Sequence, residues 1–184
     1  MEIVSLAIPE VRIIRPKRIG DARGWLMETY RRDLLAEAGI HDDFCQDNHS
    51  LSTAAGTVRG LHCQRPPHAQ AKLVSVLSGR ILDVALDLRR SSASFGRHVA
   101  VELDAEEASS LYIPVGFAHG FCTLTDSVTI AYKVSDLYAP EAELGVSWND
   151  PALEIAWPVG EAEAIVSERD RGLPRLAELG SLFP

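Results

Sequence analysis

The chain has few of the features that mark secreted, disulfide-rich or membrane-spanning proteins. Its three cysteines, Cys45, Cys63 and Cys122, are scattered and include no CxxC pair. This is typical of a reduced protein rather than a disulfide scaffold. No apolar run approaches the ~18 residues that a transmembrane helix needs. The sequence opens without a basic segment followed by an apolar one, so it shows no signal peptide. We therefore expect a cytoplasmic protein with no membrane partner.

Basic residues are also scarce relative to acidic ones. Lys and Arg number 18 against 26 Asp and Glu, which gives a net charge of −8. An acidic chain is a poor match for nucleic acid, because that partner is bound through neutralised phosphates. A phosphorylated small ligand remains compatible with this charge, since it needs only a few well-placed cations. The length of 184 residues predicts a single domain, 1–184, with a core of its own.

Helical patterns are sparse, and most of the chain alternates between apolar and polar residues. The alternation is clearest in residues 82–88, 98–103 and 128–134, each of which is typical of a half-buried strand. Further strand-like segments lie at 10–15, 25–30, 44–50, 57–63, 71–77, 110–114 and 117–124. Short helices are predicted at 31–38 and 173–179. Many short strands separated by turns, with few helices, predict an all-β sandwich or barrel.

Polar residues that can carry chemistry are concentrated in 46–50 and 59–64, followed by Lys72. In a strand, Lys72 shares a face with Val74 and Val76, which is an apolar side. A lysine that points into a barrel is costly unless it is paired or catalytic. The alternative is a lysine whose ammonium reaches water along its aliphatic stem. Both interpretations are open on the residues alone.

Two other candidates, Tyr132 and the charged run 167–171, also have plain structural interpretations. Alternation places Tyr132 on the face of Ile130 and Val134. A tyrosine in that position is more often a core residue with a satisfied hydroxyl than a catalytic acid. The charged run is by itself most often a solvated surface.

The pattern Pro-x-Gly-x-x-His at 114–119, after a histidine-containing strand, resembles the two-part signature of the cupin superfamily of jelly-rolls. Metal-binding cupins carry His-x-His and a Glu in the first part. Here Gln64 stands where the second histidine would be, and the Glu is missing. First-row metals normally take several protein ligands, so His62 and His119 do not make a convincing set. His68 follows two prolines and is expected in a loop. We therefore expect no metal site.

With a metal discounted, His62, Lys72 and Tyr132 suit proton transfer beside a ketone. Such a reaction needs a base for the C–H proton, a cation or donor at the enolate oxygen, and an acid on the other face. Histidine titrates near neutrality, so His62 fits the base. Lys72 fits the stabilising cation and Tyr132 the acid. Asp170 can fix the imidazole tautomer, as in a His–Asp dyad.

A series of short motifs extends from about Arg12 to Leu176. In the first two thirds of the chain they are Gly-Asp-Ala-Arg-Gly at 20–24 with Glu28, Gln-x-Asn-x-Ser at 46–50, Arg-Gly-Leu-His-x-Gln at 59–64, Lys-Leu-Val at 72–74, Asp-Val-x-x-Asp-x-Arg at 83–89, and Ile-Pro-x-Gly-Phe-Ala-His-Gly-Phe at 113–121. Tyr132, Tyr-Ala-Pro-Glu at 138–141, Asn-Asp-Pro at 149–151 and Trp-Pro at 157–158 follow. In this order and spacing, the motifs resemble the dTDP-4-dehydrorhamnose 3,5-epimerase family.

The resemblance implies an all-β, cupin-like jelly-roll (a double-stranded β-helix) with a few short helices, free of metal and cofactor and usually a homodimer. It implies an epimerase that inverts C3, C5 or both of a dTDP-4-keto-6-deoxyhexose in deoxysugar biosynthesis of the rhamnose type. The implied catalytic residues are His62 as base, Asp170 as its partner, Lys72 at the enolate oxygen and Tyr132 as acid. The implied substrate-binding residues are Arg23 and Arg59 at the diphosphate, and Glu28, Gln46, Asn48, Tyr138 and His119 along the nucleotide and sugar.

Strict alternation places Arg59 and His62 on opposite faces of a strand, whereas the resemblance implies that both face the ligand. A bulge at Gly60 would reconcile the two, and a glycine inside a strand often marks one. We therefore expect an irregular strand at this point.

Two other functions are compatible with these residues. One is a 3,4-ketoisomerase acting on the same sugar nucleotide, which would move the ketone to C3. The other is a sugar-nucleotide binding module that retains the pocket but has no turnover.

Overall fold

A computed structural model describes residues 1–180, 182 and 183. Its strands, in chain order, are β1 (Glu2–Ser5), β2 (Arg12–Arg15), β3 (Arg18–Asp21), β4 (Gly24–Met27), β5 (Gln46–Ser52), β6 (Val58–Gln64), β7 (Lys72–Ser78), β8 (Arg80–Asp87), β9 (His98–Asp104), β10 (Ser110–Ile113), β11 (Phe117–Thr123), β12 (Val128–Val134) and β13 (Glu143–Gly145). The helices are α1 (Arg32–Glu37) and α2 (Glu168–Arg171), with 3₁₀ turns at Pro140–Ala142, Pro151–Leu153 and Leu176–Glu178. None of the helices in this part of the chain is long and apolar enough to cross a membrane.

Two antiparallel sheets form the body of the fold. One has six strands in the order β1-β2-β10-β7-β12-β5, and the other has five in the order β13-β6-β11-β8-β9. The main core contains Val74 and Ile130 from the six-stranded sheet and Ile81, Ala85 and Phe121 from the five-stranded sheet. The sheets therefore pack face to face, and the expected all-β jelly-roll with a few short helices is confirmed.

The two central strands of the five-stranded sheet, β8 and β11, are buried on both faces, which explains their dense apolar sequence. On β8, Ile81 and Ala85 point into the main core, while Val84 and Leu86 point to the other face. That other face is covered by residues near the C-terminus, including Leu153. Because side chains alternate along a strand, the odd-numbered residues of β8 face the space between the sheets.

A β-bulge at Gly60 brings two predicted site residues to the same side of β6. Phe121 of β11 lies opposite Arg59 and His119 lies opposite His62, so β6 carries one residue more than β11 between these pairs. A Cβ at Gly60 would lie 2.6 Å from both the Gly120 Cα and the His119 carbonyl oxygen. The predicted bulge is therefore confirmed, and the close approach of β11 requires glycine there.

The segment 173–179 is not the predicted helix. Its Pro174 carbonyl accepts a hydrogen bond from the Ser147 N–H at 2.7 Å, and the Leu176 N–H donates to the Asp150 carboxylate at 2.8 Å. Backbone groups that a helix would use internally are thus engaged elsewhere, and only the 3₁₀ turn Leu176–Glu178 forms. The regular helix lies earlier, at α2.

The hairpin of β3 and β4 stands apart from the sandwich. Within the described part of the chain, its two strands pair only with each other. Three large apolar side chains on it are more than half exposed, namely Ile19 at 58%, Trp25 at 58% and Leu26 at 67%. The predicted strand at 25–30 is shorter than expected, because β4 ends at Met27.

We predict that Gly60→Ala lowers the free energy of unfolding by about 2 kcal/mol or more, because the added Cβ overpacks the bulge. Gly24→Ala is the matched control, since its φ of 134° is also positive, like the 109° of Gly60, but a Cβ there has no neighbour within 4 Å. Urea unfolding at one protein concentration measures both variants. Equal losses would contradict a steric role for the bulge.

Candidate active site

A cavity of about 510 Å³ opens between the two sheets, and we call it the reaction cavity. Its walls include the four residues predicted to be catalytic, His62, Lys72, Tyr132 and Asp170. Two of the predicted ligand residues, Arg59 and His119, also line it. The structure therefore brings together, in one chain, side chains from β6, β7, β11, β12 and α2.

A second cavity of about 320 Å³ adjoins the first, and we call it the side cavity. Three further predicted ligand residues, Gln46, Asn48 and Tyr138, line this space. His62, Lys72 and Tyr132 line both cavities, so they lie at the junction.

His62, which is partly exposed, and the buried Asp170 form a hydrogen-bonded pair. The His62 Nε2 lies 2.8 Å from Asp170 Oδ1, and Asp170 Oδ2 accepts the Gly60 backbone N–H at 3.1 Å. Burial raises the pKa of the Asp170 carboxyl, but hydrogen bonds from His62, Gly60 and Ser167 outweigh it, and the pKa is lowered overall. An ionised Asp170 accepts the Nε2 proton of a neutral imidazole, which leaves Nδ1 with the lone pair.

Lys72 does not extend to solvent. Its side chain is buried, and Nζ donates to the His62 carbonyl oxygen of the opposite sheet at 3.2 Å. Burial lowers the pKa of the ammonium, while the neighbouring Cys63, Asp83 and Glu143 oppose that effect. Of the two interpretations left open by the sequence, the inward-facing lysine is the one observed.

Tyr132 is half-buried, and its ring packs against the main core. Among the described residues no hydrogen-bond partner reaches its hydroxyl, so the satisfied core tyrosine is not what is found. Burial raises the pKa of the hydroxyl, the positive charge of Arg59 lowers it, and the negative charge of Glu143 raises it further. The phenol is therefore protonated at neutral pH and available to a ligand.

Arg59 and His119 present different groups to the reaction cavity. The guanidinium of Arg59 is held by Ser52 Oγ at 3.1 Å and by the Leu51 carbonyl oxygen at 3.0 Å. In the described residues it has no carboxylate partner, which suits it to bind an anion. His119 is buried, and its Nε2 lies 2.5 Å from Asp83 Oδ1.

Two predicted ligand residues, Arg23 and Glu28, line neither cavity. The side chain of Arg23 is 89% exposed at the tip of the β3–β4 hairpin and pairs with Asp21 at 2.6 Å. Glu28 pairs with Arg31 at 3.1 Å. Within one chain, these two residues are separated from the other predicted site residues.

Glu143 and Arg169 are polar residues of the cavities that sequence reasoning missed. Glu143 Oε2 accepts from the Tyr138 hydroxyl at 2.6 Å and from Arg169 Nη2 at 2.6 Å. Arg169 directly precedes Asp170 in the charged run, and this position could have identified it from the sequence. No sequence pattern indicated Glu143, because β13 is only three residues long.

Gln64, which occupies a ligand position of metal-binding cupins, is fully used as a structural residue. Its Nε2 donates to the His68 and Leu137 carbonyl oxygens at 2.7 and 3.1 Å, and its Oε1 accepts the Ala139 N–H at 2.8 Å. Over residues 1–180, 182 and 183, no group of three or more His, Cys, Asp and Glu side chains is arranged to hold a metal ion.

The family model described as dTDP-4-dehydrorhamnose 3,5-epimerase matches residues 5–178. The chain belongs to this family. It is accordingly an enzyme of the isomerase class. Family members named dTDP-4-dehydrorhamnose 3,5-epimerase include one from Shigella flexneri, 44% identical over 171 residues, covering 92% of this chain and 93% of the relative. Another, from Pseudomonas aeruginosa, is 46% identical over 172 residues and covers 93% of each.

Solved structures of family members superpose on the whole fold. The epimerase from Legionella pneumophila Philadelphia 1, in complex with dTDP-4-keto-L-rhamnose, matches with a TM-score of 0.93 at 42% identity, covering 100% of this chain and 97% of that one. A 3'-monoepimerase from Streptomyces bikiniensis in complex with dTDP-quinovose matches with a TM-score of 0.86 at 35% identity, covering 95% and 87%. The family thus includes members described with different numbers of inverted centres.

We predict that Asp170→Asn lowers kcat by roughly 10²–10⁴, because a neutral amide neither fixes the Nε2–H tautomer nor stabilises the imidazolium that forms. Glu168→Gln, on the same short helix but facing solvent, is the matched control. Turnover is measured by proton NMR and folding by circular dichroism. A folded Asp170→Asn variant with wild-type turnover would remove Asp170 from the mechanism.

Proposed function

We propose that the protein, acting as one domain over residues 1–184, inverts C3, C5 or both of a dTDP-4-keto-6-deoxyhexose in deoxysugar biosynthesis of the rhamnose type. Membership of the epimerase family and its ligand-bound relative support this substrate. The observation that carries the proposal is the arrangement of a His–Asp pair, a buried lysine and a tyrosine around one cavity. These are the groups that enolisation and reprotonation require.

The opposition of the two sheets supports a reaction with inversion. His62 extends from the five-stranded sheet and Tyr132 from the six-stranded sheet, so the two side chains approach the reaction cavity from opposite walls. A sugar ring between them has the base on one face and the acid on the other. Nδ1 of His62 takes the C–H proton, and the Tyr132 hydroxyl returns a proton to the opposite face.

Lys72 is suited to hold the enolate oxygen. The negative charge of the intermediate develops on the former ketone oxygen, and a fixed cation in a water-poor site stabilises it more strongly than solvent would. The burial of Lys72 and its tether to the His62 carbonyl oxygen support this role.

The remaining polar residues support a division of the ligand between the two cavities. Arg59, without an ion-pair partner in the described chain, suits the diphosphate. Gln46, Asn48 and Tyr138 offer amide and hydroxyl groups to the ligand in the side cavity, and His119 offers its ring in the reaction cavity.

We also propose that the active form is a homodimer in which the β3–β4 hairpin serves the partner's site. The hairpin exposes Ile19, Trp25 and Leu26, and a groove of about 320 Å³ runs between it and the six-stranded sheet. A second copy would cover this apolar surface. It would also reconcile the implied role of Arg23 with its distance from the chain's own cavity. The unjoined cysteines support a cytoplasmic location.

We predict that wild-type protein in D₂O removes the C3 signal, the C5 signal or both from the proton NMR spectrum of dTDP-4-keto-6-deoxyglucose. His62→Ala is expected to remain folded and to abolish exchange, because the base is lost. His41→Ala, at an exposed position, is the matched control. A folded His62→Ala variant that still exchanges would exclude His62 as base.

The same experiment distinguishes the other functions. A product with its ketone at C3 would identify a ketoisomerase. Bound ligand without any exchange by the wild-type protein would identify a binding module.

For the dimer, we predict complementation between two weak variants. In a mixed dimer of Arg23→Ala and Lys72→Ala, one site contains Lys72 from one subunit and Arg23 from the other. If Arg23 acts across the interface, mixing and re-equilibrating the two variants raises turnover at low substrate concentration above the mean of the separate proteins. No gain, or a monomer by light scattering with a mass near the 20.1 kDa of one chain, would contradict the proposal.

A further inference from the structure

Behind the reaction cavity lies a second buried carboxylate, Asp83, which has no role in the proposed mechanism. Asp83 lies in the middle of β8, is 0% exposed, and faces the space between the sheets. Its Oδ1 lies 2.5 Å from His119 Nε2, and β11 places His119 directly opposite His62. Asp83 therefore lies behind the reaction cavity, one side chain removed from the ligand space.

The other oxygen of this carboxylate, Oδ2, is buried without a hydrogen-bond partner in the described residues. Burying a polar oxygen without a partner is unfavourable, and for an ionised carboxylate the cost is larger unless a cation is near. A nearby positive charge would offset this cost.

Asp87 shows what a purely structural carboxylate looks like on the same strand. It lies four residues further along β8 and is also 0% exposed. Its oxygens accept from Arg89 at 2.9 and 2.7 Å, from the Ser92 hydroxyl at 2.7 Å and from the Ser94 hydroxyl at 2.6 Å. Asp87 is saturated by local donors, whereas Asp83 leaves an oxygen unused.

The cation that lacks a counter-charge is Lys72. Its only hydrogen-bond acceptor in the described residues is the neutral His62 carbonyl, although an ammonium has three donors. The charged or titratable side chains that line the two cavities with Lys72 are Arg59, His62 and Cys63 from β6, His119 from β11, Tyr132 from β12, Tyr138, Glu143 from β13, and Arg169 and Asp170 from α2. Asp170 is hydrogen-bonded to His62, and Asp83 of β8 is a further acidic neighbour of Lys72.

Two of the three acidic neighbours of Lys72 are accounted for elsewhere. Burial raises the pKa of the Cys63 thiol to about 11, so at neutral pH it carries no charge. Glu143 is paired with Arg169 at 2.6 Å. Asp83 is the remaining negative charge, and it faces Lys72 from the opposite sheet.

We propose that Asp83 is a positioning residue of this site, whose carboxylate fixes the His119 ring through Oδ1 and provides the counter-charge of the buried Lys72 ammonium through Oδ2. This inference rests on the proposed function, since it concerns the cation that holds the enolate. Asp83 does not touch the substrate and acts through Lys72 and His119.

The charge role and a purely structural role predict different titrations of Lys72. Removing a nearby negative charge destabilises the ammonium, so Asp83→Asn lowers the pKa of Lys72 beyond the lowering that burial already causes. A structural role alone affects the His119 ring and leaves the Lys72 titration unchanged.

The experiment is an NMR titration of the lysine side-chain signals in ligand-free protein, with the Lys72 signal assigned by its loss in Lys72→Met. We expect Asp83→Asn to lower the Lys72 midpoint by about one pH unit or more. Asp87→Asn, the matched buried carboxylate, should leave the midpoint unchanged. An unchanged midpoint in a folded Asp83→Asn variant overturns the proposal, even if turnover falls.

If Asp83→Asn does not fold, His119→Gln provides a second test of the proposed charge interaction between Asp83 and Lys72. This variant removes the ring but leaves the Asp83 charge, so the Lys72 midpoint should stay at or above that of the wild type. A lower midpoint would overturn the proposal, because the ring and not the charge would then sustain the ammonium.

Turnover measurements connect the Lys72 titration to the reaction, and they distinguish a failure of the proposed function from a failure of the Asp83 proposal. The basic limb of the kcat/KM profile should move to lower pH in Asp83→Asn, with kcat at neutral pH reduced roughly 10²-fold. Absence of exchange in the wild-type protein would count against the proposed function alone, because the Lys72 titration is read without substrate.

Discussion

The Asp170 carboxylate is the interaction on which the rest of the site depends. Its two oxygens accept hydrogen bonds from the His62 ring and the backbone N–H of Gly60, so one side chain from α2 fixes both the proposed base and the bulge beside it. The segment after α2 then crosses β13, where a Cβ on Gly145 would lie 2.6 Å from the methyl groups of Leu173. The C-terminal segment is therefore packed closely against the sheet that carries His62.

The sandwich architecture makes inversion a consequence of the fold. Two sheets packed face to face present inward side chains from opposite directions, and a ligand held between them is approached on both faces. His62 and Tyr132 extend from the two opposed sheets, and the proposed mechanism uses this opposition. A single curved sheet with both residues on one wall would return the proton to the face from which it was removed.

Many of the strands could be predicted from the sequence, because the alternation of apolar and polar residues along a strand is a local property. The strands from β5 to β12 follow from period-two patterns. The residues alone left the direction of Lys72 open, and the bulge at Gly60 was expected because the resemblance implied that Arg59 and His62 both face the ligand. The prediction of a helix at 173–179 was wrong, because the backbone of this segment bonds to Ser147 and Asp150. Both residues are too distant in sequence to influence a local pattern.

The residues that were missed depend on contacts between distant parts of the chain. Glu143 is placed in the site by its ion pair with Arg169, which is distant in sequence. In addition, strand β13 has only three residues, which are too few to show an alternating pattern. Asp83 and Asp87 occupy equivalent positions in one alternating pattern, and only the neighbours contributed by other segments distinguish them. Sequence patterns thus indicate which way a side chain points, but its partner is decided by tertiary packing.

In the proposed mechanism, the charges around the reaction cavity leave Lys72 as the cation that the intermediate meets. Glu143 is neutralised by Arg169 outside the path of the proton, and Asp170 interacts with the ring that becomes positive when it takes the proton. Lys72 remains, and a counter-charge behind it at Asp83 keeps the ammonium charged in a site that otherwise favours its neutral form. When the enolate forms in front of Lys72, the ammonium interacts with one anion on each side. In this proposal the intermediate is stabilised without a change in the protonation of Lys72, and the groups that exchange protons are His62 and Tyr132 on opposite walls.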